Sequence, residues 1–205
     1  MPIIQYTLQN RGFLLLRAYA RDIHGATGTE TAPDGASKVR IWVIGGGGAG
    51  GYMDSGTPNP YSGASGGAVE SEYSISPGQT LNWSLGVGGV ATSTTAGFGT
   101  ASTITSGTLS ITTMLAEGGN SGTGSITQAG GTGGNIQNLN GSQQVQSSVR
   151  TAPPMPYTST PGWSEAPFID VSAVYDSKAG FGGYRAFSTG AGENGFGGSV
   201  FFLYT

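Results

Sequence analysis

The residues best placed to do chemistry in this chain lie in Ile41 to Gly51, IWVIGGGGAGG, where an apolar run enters Gly45-x-Gly47-x-x-Gly50. That spacing is the fingerprint of a dinucleotide-binding turn, in which glycines let backbone approach a pyrophosphate and the free N–H groups of a following helix hold it. The continuation, YMDSGTPNPYSGASGG, cannot form that helix. The acidic residue such a unit needs about 20 positions on would be Glu70 or Glu72, and both fall on a strand pattern facing outward. No Gly-Lys-Ser/Thr follows any glycine run, so a P-loop is absent as well. Nucleotide binding is not the expected function.

Other chemistry is sparse. Glu70 and Glu72 share one face of a strand, a spacing that could pair two carboxylates for glycoside hydrolysis, although adjacent same-face acids more commonly mark a solvated edge. His24 is the only histidine and has no nucleophile pattern near it. Asp54, Glu165, Asp170 and Asp176 could offer oxygen ligands to calcium, but without the dense spacing of a dedicated loop. The expectation is a protein that is not an enzyme, with no catalytic residues, no metal and no cofactor. Aromatic residues are the better candidates for binding. Tyr157, Trp163, Phe168 and Tyr175 stand in a Pro-containing stretch, and Tyr52 and Tyr61, like Phe181 and Tyr184, lie beside glycine runs. A ring in an exposed loop supplies contact area at little entropic cost, so these six (Tyr157, Trp163, Phe168, Tyr175, Tyr52, Tyr61) are the expected receptor-binding residues. The competing role for each is to hold its own loop together.

Composition sets the frame these residues sit in. Of 205 residues 39 are glycine, and only 9% are charged, against a usual share of about 25%. Disorder is the first thought, but 3 Trp, 9 Tyr and 8 Phe with a net charge of −3 argue for an ordered chain. Eight Lys and Arg, scattered along the sequence, give no basic patch for nucleic acid or an anionic membrane. There is no cysteine, hence no disulfide framework. The apolar patch at Phe13 to Leu16 is bracketed by Arg11, Arg17 and Arg21, too short for a signal peptide or a membrane span. The chain is expected to be made in the cytoplasm without an export signal.

Glycine is uneven: four of the 39 precede position 45 and the other 35 lie from Gly45 onward. Residues 1–37 read as an N-terminal attachment or lead-in segment, with strand-like alternation in Leu8 to Tyr19. Residues 38–205 read as a glycine-rich β domain. Lys38 to Ile44 is a strand, with Val39, Ile41 and Val43 on one side and Arg40, Trp42 and Ile44 on the other, which implies two covered faces. Ala68 to Ile75 and Leu81 to Val87 alternate on either side of SPGQT and predict a hairpin. Further strands are expected at Ala101 to Ile104, Leu109 to Leu115 and Ser199 to Tyr204. Between about 136 and 179 glycine almost disappears and five prolines appear, which reads as a long insertion presented by a rigid scaffold. The fold class expected is all-β, a glycine-rich β-sandwich-like domain with extended glycine-rich loops.

Several blocks carry a resemblance. Ala32-Pro-Asp-Gly35 followed by Lys38-Val-Arg-Ile-Trp-Val-Ile and the run Gly45 to Gly51 resembles the opening of glycine-rich domains in bacteriophage tail-fibre and receptor-binding proteins. Gly67 to Gly89, with its Ser-Pro-Gly-Gln-Thr turn, then Gly97-Phe-Gly-Thr-Ala-Ser, Glu117-Gly-Gly and the closing Gly192-Glu-Asn-Gly-Phe-Gly-Gly-Ser-Val-Phe-Phe-Leu, resemble later blocks in the same order. The resemblance covers roughly 32–134 and 180–205; residues 1–30 and 136–179 depart from it. It implies a virion protein of the tail fibre or tail tip, often a homotrimer, that meets a bacterial surface receptor, a glycan or an outer-membrane protein, and contacts other virion proteins. It implies no nucleic-acid partner and no membrane insertion. In some adhesin-like relatives the glycine stretches pack as left-handed polyglycine II helices; the runs here are short and could equally be loops. The alternative of a different class is a capsid spike, head fibre or decoration protein with a purely structural role.

Overall fold

The computed structural model of this chain describes residues 4–7, 15–20, 25–52, 62–122, 144–150, 180, 182–183 and 190–205. It is all-β, and no α-helix occurs among the described residues. The strands are β1 (Ile4–Thr7), β2 (Leu15–Ala20), β3 (Ala26–Thr31), β4 (Lys38–Ile44), β5 (Ala68–Ser74), β6 (Thr80–Leu85), β7 (Ser102–Ser106), β8 (Met114–Ala116), β9 (Gln144–Arg150) and β10 (Ser199–Tyr204). They form two antiparallel sheets, one in the order β1-β2-β10-β4-β5-β9 and the other β3-β6-β7-β8.

Alternation decides which side chains meet. Val39, Ile41 and Val43 of β4 face inward with Tyr19, Val69, Tyr73, Val200 and Phe202, against Leu81, Trp83, Leu85, Ile104 and Met114 of the second sheet. The opposite side of β4 is buried too: Trp42 and Ile44 pack with Ala18 and Phe201 in a separate cluster. The two covered faces expected from KVRIWVI are therefore present. Cross-strand pairing sets Trp83 opposite Gly28, and a Cβ there would lie 2.4 Å from the indole. Glycine at 28 lets the ring lie over β3 and stack on Tyr19 at 4.5 Å.

One buried charge ties the sheets together. Glu30 on β3, 2% exposed, accepts from Arg17 Nη1 at 2.7 Å, from Tyr19 Oη at 2.5 Å and from Tyr204 Oη at 2.8 Å, all three on the other sheet. A buried carboxylate is tolerated when it is paired and hydrogen-bonded in this way.

Several sequence expectations need correction. The two alternating runs flanking SPGQT are not a hairpin, because β5 lies in one sheet and β6 in the other. Alternation shows that each strand has one buried face; it does not say whether neighbours pair or face each other across a core. Here both edges of β6 are taken, by β3 and β7. The turn itself is as read: Gly78 has φ 79 and Gln79 N–H donates to Ser76 O at 3.1 Å, while Gly78 N–H reaches across to Ala32 O. The strand expected over 109–115 is only Met114–Ala116, since Leu109 is drawn into the core from a loop held by Ser106 Oγ on Ile111. Within 136–179, Gln144–Arg150 forms β9 on the edge of β5. Of the lead-in, β2 pairs with β10 and β3 with β6, so both sheets draw on residues before Lys38.

Removing the Glu30 carboxylate, as in Glu30→Ala, is expected to cost about 3 kcal/mol or more, because Arg17 and two phenols lose their acceptor together; urea unfolding measures it. The same cluster predicts an alkaline limit. Burial first, and then Glu30, push the Tyr19 and Tyr204 phenols above their ordinary 10.0. Unfolded tyrosines ionise first, so stability is complete below pH 10 and falls as pH climbs beyond it. Urea midpoints measured at rising alkaline pH should decline, and the decline should flatten in a Tyr19→Phe, Tyr204→Phe double variant.

Candidate functional site

The glycine runs among the described residues are neither loops nor a nucleotide turn. They form a bundle with residues 45–50 at its centre, surrounded by the extended segments 62–67, 117–122, 97–100, 86–90 and 193–198 and by Gly180, Gly182 and Gly183 on the sixth side. The central segment donates with a period of three. Gly45 and Gly48 N–H bond Gly67 and Ala64 O, Gly46 and Ala49 bond Thr100 and Gly97, and Gly47 and Gly50 bond Phe196 and Glu193. Its carbonyls accept from the other three neighbours: Gly46 and Ala49 from Gly119 and Gly122, Gly47 from Gly89, and Gly48 from Gly183.

The surrounding segments also bond to one another in a closed ring. Gly67 N–H reaches Glu117 O, Gly99 reaches Gly119, Thr100 reaches Val87, Gly198 reaches Gly86, Gly180 reaches Gly197 and Gly63 reaches Gly183. Among the described residues no backbone hydrogen bond joins two residues of one segment. Three residues per turn, no internal bonds and six bonded neighbours are the arrangement of polyglycine II, the glycine counterpart of the polyproline II helix.

Such packing leaves no room for Cβ. At Gly48 a Cβ would lie 2.0 Å from Asn120 O, and at Gly195 2.0 Å from Gly47 O. The bond that would carry the side chain points at a neighbouring carbonyl, a Cα–H···O contact.

The bundle continues the sandwich. β4, β6 and β8 run straight into outgoing segments, and returning segments run straight into β5, β7 and β10. Ser102 fastens the junction: its Oγ donates to Ile44 O at 2.6 Å and accepts from Gly86 N–H at 2.8 Å. Among the described residues, segments 86–90 and 97–100 are joined at the end away from the sandwich, where the central segment also ends. The chain leaves there at Tyr52 and returns at Ser62, and turns back through residues 91–96 with an Ala91–Ala96 bridge. Thr92 Oγ1 closes that turn on Thr95, and Asn194 Oδ1 accepts from Ala91 N–H at 2.7 Å.

This end is the candidate binding site, and the sequence candidates distribute as follows. Tyr52 sits at it, half-buried, just beyond the central segment. Tyr61, Tyr157, Trp163, Phe168 and Tyr175 lie outside the described residues, as do Phe181, Tyr184, His24, Asp54, Glu165, Asp170 and Asp176. Glu70 and Glu72 are each ion-paired, to Arg40 and to Lys38, and Arg40 also lies over the Trp42 ring at 5.2 Å. Every N–H from Gly45 to Gly50 is spent on a neighbouring carbonyl, so the apparent dinucleotide motif has none to offer a phosphate. Missed in the sequence were Val90 and Phe98, 51% and 67% exposed. The signal was present: both interrupt glycine runs whose packing pushes any large side chain outward.

Fold and bundle together define a glycine-rich β protein in which a sandwich is extended by a backbone-packed bundle. Residues 23–202 match the model of a family described as a glycine-rich domain, and the chain belongs to that family. A search of curated proteins found no match.

The two parts of the bundle should respond oppositely to change. Gly48→Ala is expected to lose about 3 kcal/mol or more by forced displacement of backbone. A Gly-Ser insertion of about ten residues between Ser93 and Thr94 should cost about 1 kcal/mol or less, because the turn's ends are already held together. Thermal unfolding of both variants checks the contrast.

Proposed function

We propose that this chain is a non-enzymatic component of a bacteriophage particle, a tail-fibre or tail-tip protein that attaches to the bacterial surface. The observation that carries the reading is the bundle: a backbone-packed shaft that carries the 91–96 turn and the chain's departure at Tyr52 at the end away from the sandwich. Such a build suits presentation of loops on a fixed support, since loop length and sequence can change without touching the packed glycines. The ordered resemblance of Ala32 to Gly51, Gly67 to Gly89 and Gly192 to Leu203 to tail-fibre domains supports the same reading. Binding without chemistry agrees with Glu70 and Glu72 being engaged by Arg40 and Lys38.

In this reading the sandwich end joins other virion proteins or further copies of the chain, with a trimer favoured, and the loop end meets a glycan or an outer-membrane protein. Several weak contacts on one particle gain strength from high effective concentration. Immunogold labelling of particles from the culture that encodes the chain tests it. Label at fibre ends is the expected result. Label over the capsid would transfer the chain to a spike or decoration role, and unlabelled particles would overturn the virion assignment.

A further inference from the structure

Between Glu72 and Glu117 the sequence contains no Lys, Arg, His, Asp or Glu. This uncharged stretch supplies β6, β7 and β8, two neighbouring bundle segments, 86–90 and 97–100, and the 91–96 turn that joins them. One flank of the loop-bearing end is therefore electrically neutral over its whole extent along these segments.

On that flank stand the large hydrophobic side chains that are exposed among the described residues, Val90 and Phe98. Their position follows from the bundle's register. Gly97 N–H bonds Val90 O and Thr100 N–H bonds Val87 O, so Phe98 lies at a height between Val87 and Val90 of the adjoining segment. A period of three points Val87 and Val90 the same way. The directions between them are taken up by packing: a Cβ on Gly88 would meet Gly195, on Gly89 Gly97, and on Gly99 Gly46. The result is a short apolar strip with an aromatic ring in it, next to the exposed hydroxyls of Thr92, Ser93, Thr94 and Thr95.

Isolated exposed apolar residues are ordinary, but an exposed ring set between two valines and bordered by hydroxyls, with no charge near it in sequence, has a definite chemistry. The ring offers a flat apolar face to the C–H face of a pyranose, and the hydroxyls can both donate to and accept from sugar hydroxyls. These segments carry no cation to hold a phosphate, a sulfate or an acidic sugar, and Glu193, exposed on the adjoining segment 193–198, disfavours an anion there.

We infer that the flank formed by Val87, Val90 and Phe98, with the Thr92 to Thr95 turn, is a binding site for an uncharged saccharide of the bacterial surface. The inference rests on the attachment reading above and adds to it the class of ligand and the residues that take it.

The test measures binding of the fluorescently labelled full chain to cells of the strain in which the particles grow. Wild type is compared with Phe98→Ala and with Asp34→Asn, an exposed control, after thermal unfolding has shown that all three are equally folded. Cells are used untreated, oxidised with periodate to destroy glycans, or stripped with protease. The expected result is binding that survives protease and is lost after periodate. It should change less than about twofold between about 0.05 and 0.5 M NaCl, fall at least about tenfold (the weight of a well-placed aromatic anchor) in Phe98→Ala, and stay unchanged in Asp34→Asn. Binding that survives periodate, ignores Phe98→Ala or collapses with salt overturns the saccharide site and leaves surface attachment standing. No binding to untreated cells overturns both.

Discussion

A backbone packed against backbone has no side chains to bury, so everything in the bundle turns on satisfying N–H and C=O groups taken out of water. An unpaired buried amide costs about 1–3 kcal/mol, while each bond made returns a net of about 1 kcal/mol. The central segment meets that demand with six different neighbours, three receiving its N–H groups and three supplying donors to its carbonyls. A sheet strand has two bonded neighbours and can form from a single hairpin. A three-fold segment at the centre of a lattice is satisfied only when the whole ring is present. The high glycine content follows from this, because at Gly46, Gly48, Gly63 or Gly195 a methyl group would sit 2.0–2.2 Å from a carbonyl oxygen.

The sandwich supplies what the bundle lacks. Hydrophobic burial is worth about 1.5–3 kcal/mol for each large side chain, and Ile41, Val43, Val69, Trp83, Leu85, Ile104 and Phe202 provide it within a stride of the junction. Because strands and segments are continuous, the register of β4, β5, β6, β7, β8 and β10 fixes the height at which each glycine segment starts. Ser102 then joins the last residue of β4 to the first of segment 86–90. Glu30 acts at the opposite end, with Thr31 and Tyr204 near the strand termini farthest from the bundle. Each sheet is thus held to the other by apolar packing in the middle, by ionic hydrogen bonds at one end and by the glycine lattice at the other.

Charge is distributed to match. Lys38, Arg40, Glu70 and Glu72 lie on β4 and β5 of the larger sheet, whereas β6, β7 and β8 of the smaller one have none. Low charge in a chain of this size is a liability for solubility. It is offset here by hydroxyls and amides such as Thr27, Thr29 and Asn82 on the outward face of the smaller sheet, where Thr29 Oγ1 donates to Asn82 Oδ1 at 2.9 Å.

Much of this was legible in the residues. Strand β4 and the closing strand β10 appear at the positions that their alternation and aromatic content predict, and KVRIWVI announces its two covered faces, because side-chain period and burial are local properties. The turn at Pro77-Gly78 is local as well. What it joins is not: whether β5 and β6 pair or face each other depends on which other strands claim their edges, and β3 and β7, distant in sequence, claim β6. The glycine runs show the same division. Their composition says that backbones approach closely. Short runs separated by loops carry no mark of their six partners, since those partners come from residues 62 to 198 and the satisfaction of each amide is a property of the assembled ring. Phe98 and Val90 read in sequence as two apolar residues among glycines. That they stand exposed on one flank, at neighbouring heights, was decided by the lattice, which fills the other directions around each segment with backbone.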